Sequence, residues 1–236
     1  MPVSVDIVDS DAESVERVFE YFRYVDETFS TYKPHSEISR INRGELLERD
    51  YSEDMRIIFA AAAKTKHDTD GYFDIKKPDG FVDPSGIVKG WAIHNAAELL
   101  RVRGRKHFYL EAGGDIATYG LNEHGESWRI GIRDPEHYEK IIKIVTPHEQ
   151  GIATSGTAAR GHHIWNPYTG TAATSPYLSI SVIGPNVFEA DRFATAAFAM
   201  GEQGMEFIER LSGFEAFAIS KKRHAVKTSG FAQYEV

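Results

Sequence analysis

Two hydrophobic periods share this chain, and they are not interleaved in the way a doubly wound fold requires. From Val15 to Phe29 the apolar residues Val15, Val18, Phe19, Phe22, Val25 and Phe29 recur at three- and four-residue steps, the stripe of an amphipathic helix. Further along, Trp128, Ile130 and Ile132 alternate with other residues, as in a strand with one buried face. Helical patterns dominate before Gly104 and strand patterns after it, with a helical stretch returning near the end. Without strict strand–helix–strand alternation, the pattern predicts an α+β fold with a largely antiparallel sheet and packed helices.

The remaining elements follow from local signals. Val3–Val8 alternates as an opening strand, and Ser10 with Glu13 forms a capping box for the first helix. Ser52 caps a second helix with Met55, Ile58, Phe59, Ala62 and Ala63 inward, ending before Asp70-Gly71. A third runs from Asp83-Pro84-Ser85 to about Arg103, burying Ile87, Trp91 and Leu99 or Leu100, with Gly104 as its stop. Strands are expected at 107–111, 128–133, 140–145 and 178–183, helices at 187–200 and 202–211, and closing strands at 216–220 and 224–227.

Composition narrows the function. The chain has 236 residues, 27 Lys plus Arg against 35 Asp plus Glu, a net charge of −8 and no cysteine. That charge argues against a nucleic-acid phosphate backbone as the main partner, and the missing cysteines exclude disulfides, thiolate nucleophiles and lipid attachment through cysteine. No run of apolar residues is long enough for a membrane helix. The opening MPVSVDIVDSD carries neither a basic leader nor an apolar core, so a cytoplasmic location is expected. No linker or repeat divides the chain, so one domain over residues 1–236 is expected, with room for two intimately packed subdomains.

Four segments carry candidate chemistry. Asp191 and Thr195, four apart on a helix, share a face and offer two hard oxygens to a magnesium ion; a solvated Asp and a Thr bonded back to the helix explain the pair equally well. Ser85-Gly86, opening a helix with Lys89 one turn inside, suits an anion, or is an ordinary helix start. Gly113-Gly114-Asp115 permits close backbone approach to a ligand, or is a tight turn. Residues 153–170 form a dense polar loop of small hydroxyl residues, one Arg and a His before a Pro-x-x-Gly turn; one of His162 and His163 could face a site, although a satisfied structural histidine explains either better.

In this order the segments resemble the ApbE family of flavin transferases (FAD:protein FMN transferases). The resemblance takes in Phe29–Asn42, with its Ser30-Thr31-Tyr32 and Ser36-Glu37-Ile38-Ser39 stretches, and Gly71-Tyr72-Phe73-Asp74-Ile75. It continues through Ser85-Gly86-Ile87-Val88-Lys89-Gly90, Gly113-Gly114-Asp115, Trp128–Pro135, Thr154-Ser155-Gly156, the His163-Ile164 to Gly170 turn and Ala190-Asp191 with Thr195, covering roughly residues 20 to 210. It implies a magnesium-dependent reaction in which a threonine hydroxyl of an acceptor flavoprotein attacks the FMN phosphorus of FAD and AMP leaves. By the same resemblance Asp191 and Thr195 bind the metal with a backbone carbonyl near Val88 as third ligand, and His163 is the base. Ser85, Gly86, Lys89, Asp115, Thr154, Ser155 and Arg160 line the FAD, and Thr31-Tyr32 and Glu37-Ile38 belong to the same cleft wall. The chain departs from the family pattern at Val88, at Asn166 and in a shortened loop after Gly156. Hydrolysis of FAD to FMN and AMP, or flavin carriage without chemistry, are the alternatives.

Overall fold

The computed structural model describes residues 2–8, 12–157 and 164–236. In chain order its elements are β1 (Val3–Ile7), α1 (Ala12–Phe29), α2 (Glu37–Asn42), α3 (Glu53–Asp68) and α4 (Ser85–Val102). There follow β2 (Phe108–Ala112), β3 (Asp115–Tyr119), β4 (Ile130–Arg133), β5 (Ile141–Val145), β6 (Gly151–Gly156), β7 (Trp165–Asn166) and β8 (Thr171–Ala172). The chain closes with β9 (Tyr177–Gly184), α5 (Val187–Met200), α6 (Gly204–Glu209), β10 (Glu215–Ser220) and β11 (Ala225–Lys227).

Seven strands form one sheet in the order β1-β2-β3-β6-β9-β10-β11. Every neighbouring pair in it is antiparallel, as the mixed periods predict. One face is covered by helices: α5 packs its Ala190, Ala194 and Ala197 against Ala153, Val182 and Ala216, while α1 and α4 cover Phe108 and Leu110. The other face carries Ile116, Ile152, Ile183 and Phe217, closed by Ile130, Ile132 and Val145 of the β4–β5 ribbon and by Phe231 and Tyr234. The ribbon is held in place by Arg223, whose guanidinium lies 2.6 Å from the buried Asp134 carboxylate just past β4 and holds that carboxyl well below the usual carboxylate range. No helix among the described residues is long and apolar enough to cross a membrane.

The helix limits follow the local signals closely. Ser52 Oγ accepts from Met55 N–H at 3.2 Å, and α3 ends at Asp68 before Asp70 (φ +49) and Gly71 (φ +81). Its inward face is Met55, Ile58 and Ala62; Ala63, expected inward, is exposed because it sits one step past that stripe. Ser10 lies outside the described residues. The 202–211 helix starts as a 3₁₀ turn at Gly201–Gln203 and becomes α6 at Gly204, whose missing Cβ would stand 2.0 Å from the Ala197 carbonyl.

Four strands escape sequence reading: the two-residue β7 and β8, and β3 and β6 of the main sheet. β3 begins at Asp115, directly after a two-residue hairpin loop in which Gly113 and Gly114 have φ +60 and +92, so this segment is a tight turn as well as a strand start. β6, Gly-Ile-Ala-Thr-Ser-Gly, reads as loop in the sequence but lies between β3 and β9. Its small residues reflect packing, since a Cβ on Gly151 would lie 1.9 Å from the Val187 nitrogen at the start of α5. Gly151→Ala is therefore expected to lower stability by about 3 kcal/mol or more in denaturant unfolding. Gly125→Ala, in open space at φ +74, should lose only about 1 kcal/mol.

Candidate functional site

The site is organised by the crossing of α4 over α5. Gly86 and Gly90 lie one turn apart on α4, and Thr195 and Asp191 one turn apart on α5, so the two glycines meet the two polar residues pairwise. A Cβ on Gly90 would stand 2.6 Å from Asp191 Cβ and 2.9 Å from the Val187 carbonyl; one on Gly86 would stand 3.4 Å from Thr195 Cγ2. Without those side chains the Gly90 N–H reaches Asp191 Oδ2 at 2.8 Å. Asp191 is buried, and the Thr195 hydroxyl meets Ser155 Oγ at 3.3 Å. Neither behaves as a solvated surface pair. The next residue, Arg192, fixes the roll of α5: its buried guanidinium bonds Asp68 at 2.9 Å and Thr65 at 3.2 Å on α3, and Glu189 at 2.6 Å on its own helix.

Behind this pair lies a buried charge cluster. Lys89 Nζ is 2.7 Å from Asp115 Oδ2 and 3.6 Å from Asp191 Oδ1. Asp115 Oδ1 accepts from the Thr154 N–H at 3.1 Å, and Thr154 Oγ1 pairs with Ser181 Oγ at 2.8 Å across β6 and β9. Burial pushes the Asp115 carboxyl up to about 8 and nearby Asp191 adds to the rise, while Lys89 and the Thr154 amide oppose it.

A cleft opens in front of the crossing. Ser85, Gly86, Lys89, Thr154, Ser155, Asp191 and Thr195 all line it, so seven expected site residues drawn from 111 positions of sequence converge. α4 starts at Ser85 facing this cleft, without a side-chain cap at Pro84, so its N-terminal dipole points at whatever binds. Just ahead of α4, the Asn42 side chain brackets Val82 by accepting from its N–H at 2.8 Å and donating to its carbonyl at 2.9 Å. The far wall is the β4–β5 ribbon and its loops, with Arg129, Gly131, Tyr138 and Ile141, joined by Tyr109 and Glu111 of β2. Tyr109, Tyr138 and Lys77 carry no mark in the sequence: nothing in a strand or loop pattern says which residues will face a cleft built by other elements.

Several expectations are corrected. Asp115 is fully buried and does not line the cleft; it contacts Lys89 and Thr154. The expectation at Val88 concerns its backbone carbonyl and is not among these corrections; its side chain packs in the core with Ile87 and Trp91. Thr31-Tyr32 and Glu37-Ile38 are not on the cleft wall: Tyr32 is exposed, Ile38 is core, and Glu37 accepts from the Ser52 N–H at 2.7 Å. This stretch is a structural elbow in which Ser36 caps α2, accepting from Ser39 N–H at 3.2 Å, and donates to the Ser30 carbonyl at 2.7 Å. Asn166 bonds the Ala199 carbonyl at the end of α5 through its amide and receives the Tyr168 N–H at 2.9 Å; a carboxylate there could do only the second. His162, His163 and Arg160 lie outside the described residues.

The donor set fits a hard divalent cation in part. Asp191 and Thr195 present a carboxylate and a hydroxyl to the cleft, yet among the described residues no group of three or more His, Cys, Asp or Glu is placed to hold a metal. A cation bound here would complete its shell with water or with oxygens of a second ligand.

Comparison with known proteins agrees with this architecture. The model of the ApbE family matches residues 1–77 and 75–218. An FAD:protein FMN transferase of Salmonella typhimurium strain LT2 is 31% identical over 188 residues, 72% of this chain and 54% of that protein. One of Vibrio cholerae is 34% identical over 142 residues, 56% of this chain and 42% of that protein. The chain thus spans about half the length of the curated relatives it matches. Among solved structures, the flavin transferase ApbE from Vibrio cholerae superposes with a TM-score of 0.83 at 23% identity, covering 98% of this chain and 95% of that one. The ApbE protein from Thermotoga maritima gives 0.84 at 21% identity, covering 99% and 94%. In sequence and in fold, the chain belongs to the ApbE family.

Proposed function

We propose that this protein is a magnesium-dependent FAD:protein FMN transferase. The observation that carries the reading is the convergence of Ser85, Gly86, Lys89, Thr154, Ser155, Asp191 and Thr195 on one cleft, a set whose chemistry is that of a bound diphosphate and its cation. The names of the relatives support it.

In the reaction a threonine hydroxyl of the acceptor flavoprotein forms a new O–P bond to the FMN phosphorus, the bond from that phosphorus to the AMP oxygen breaks, and AMP leaves. Asp191 and Thr195 would hold the cation, with the backbone carbonyl of Val88 as a further ligand. Bound there, the cation neutralises the charge that develops on the diphosphate oxygens. The chain's own residues do the positioning. The start of α4 would offer the Gly86 N–H, the Ser85 hydroxyl and the helix dipole to the phosphates, the Ser85 N–H being donated to Asp83 at 3.2 Å. Thr154 and Ser155, both on β6, fix the ligand from the opposite side. By the family resemblance His163 would take the proton from the attacking threonine and Arg160 would line the FAD. Such a site works by holding reactants in line and by stabilising charge.

The test is direct. Protein, FAD and magnesium are incubated with a flavoprotein domain carrying an acceptor threonine, and covalent flavin fluorescence on that domain is read in a denaturing gel with AMP measured in parallel. Transfer yields both signals. AMP without labelled acceptor identifies an FAD pyrophosphatase, and retained FAD without AMP a carrier; either result rejects the proposal. Asp191→Ala should lower AMP release by roughly 10²-fold or more, and unchanged release would remove Asp191 from the metal site. His163→Ala should slow transfer by about 10²-fold or more while FAD affinity stays within a few-fold; an equal loss of both would reject the base role.

A further inference from the structure

At the α4–α5 crossing two buried carboxylates share one ammonium. Asp115 gives one oxygen to the Thr154 N–H and the other to Lys89 at 2.7 Å; Asp191 gives one oxygen to the Gly90 N–H and turns the other towards Lys89 at 3.6 Å. The Asp191 oxygen left over by the backbone is thus the one turned towards the ammonium, and Asp191 itself lines the cleft. Lys89 is also on the cleft wall, its side chain 16% exposed, whereas Asp115 is sealed at 0%. Among the described residues that line the cleft around it, the cations Lys77, Arg129 and Arg133 are matched in number by the anions Asp74, Asp83 and Glu111.

We propose that Lys89 is a positioning residue that serves as a resident counter-cation, competing with the divalent cation for Asp191, so that the chain binds that cation tightly only together with a diphosphate. The inference rests on the reading of Asp191 as a cation ligand. Its logic is charge balance in a buried site, where unpaired charge is strongly disfavoured. A divalent cation entering alone would leave Lys89 facing a second, stronger positive charge. A diphosphate entering alone would meet an ammonium already shared between two carboxylates. When both enter, the diphosphate oxygens accept the ammonium that Asp191 releases, and the freed Asp191 oxygen goes to the cation. Asp115, anchored by Thr154, tethers Lys89 at the cleft through the exchange. The donor set agrees, since one carboxylate and one hydroxyl leave most of an octahedral shell to be supplied by the ligand.

The probes are Mn²⁺, followed by the water-proton relaxation of protein-bound metal, and ADP as an unreactive diphosphate. In wild-type protein ADP should tighten Mn²⁺ binding at least about tenfold; no tightening overturns the proposal without any variant being needed. Lys89→Met should bind Mn²⁺ alone about tenfold or more tightly than wild type, with the effect of ADP correspondingly reduced. Affinity for Mn²⁺ alone that is unchanged or weaker in a Lys89→Met protein of native circular dichroism overturns it as well. Asp191→Asn separates the two levels: Mn²⁺ binding untouched by this change removes the metal reading itself, and the proposal with it. Loss of binding in Asp191→Asn beside an unchanged Lys89→Met removes only the role of Lys89.

Discussion

The contact of Gly90 with Asp191 is the one on which the rest of the site depends. Two helices approach closely enough for a backbone N–H of one to bond a carboxylate of the other only where no side chain intervenes, and a Cβ on Gly90 would stand 2.6 Å from Asp191 Cβ. The same approach brings Gly86 against Thr195, so the oxygens of α5 reach the space in front of the α4 N-terminus. A side chain at Gly90 would push the helices apart and separate the start of α4 from the polar residues of α5. Tight packing and ligand geometry are here the same requirement.

That geometry is supported from outside. Arg192 fixes the roll of α5 against α3, Asn42 holds Val82 just ahead of α4, and Gly151 lets β6 run beneath the start of α5. Each lies away from the cleft, and each determines where a cleft atom stands. The far wall is attached differently: the β4–β5 ribbon is a separate two-stranded element clipped down by Arg223 on Asp134 and sealed by Ile130, Ile132 and Val145. One side of the cleft is therefore a tightly packed helix pair on a sheet and the other a two-stranded ribbon.

Elements whose partners lie within their own segment were readable in the chain. α1, α3, α4 and α5 carry apolar stripes or caps, and β1, β2, β9 and β10 carry strand patterns, because burial of one face leaves a periodic trace. β6 left none. Its neighbours on both sides are strands and a helix packs close above it, so it is built of Gly, Ala, Thr and Ser, residues that look like loop. The candidate site was legible as a set of types and spacings: Asp191 with Thr195, Ser85-Gly86 with Lys89, Thr154 with Ser155. Which of them faces ligand was not. Asp115 reads as a ligand group and proves to be a buried anchor, while Tyr109, Glu111 and Tyr138 face the cleft from elements that carry no such mark.

Residue order by itself thus determined the α+β class, most element limits and the family, since these depend on local period, capping chemistry and the succession of short motifs. Only the folded chain decided that Lys89 joins Asp115 to Asp191, that Glu37 braces Ser52 rather than a ligand, and which walls enclose the cleft. The physical reason is range. A helix stripe or a cap is settled over a few residues, whereas a buried ion pair spanning 26 or 102 positions exists only once the sheet has brought its members within a few ångströms.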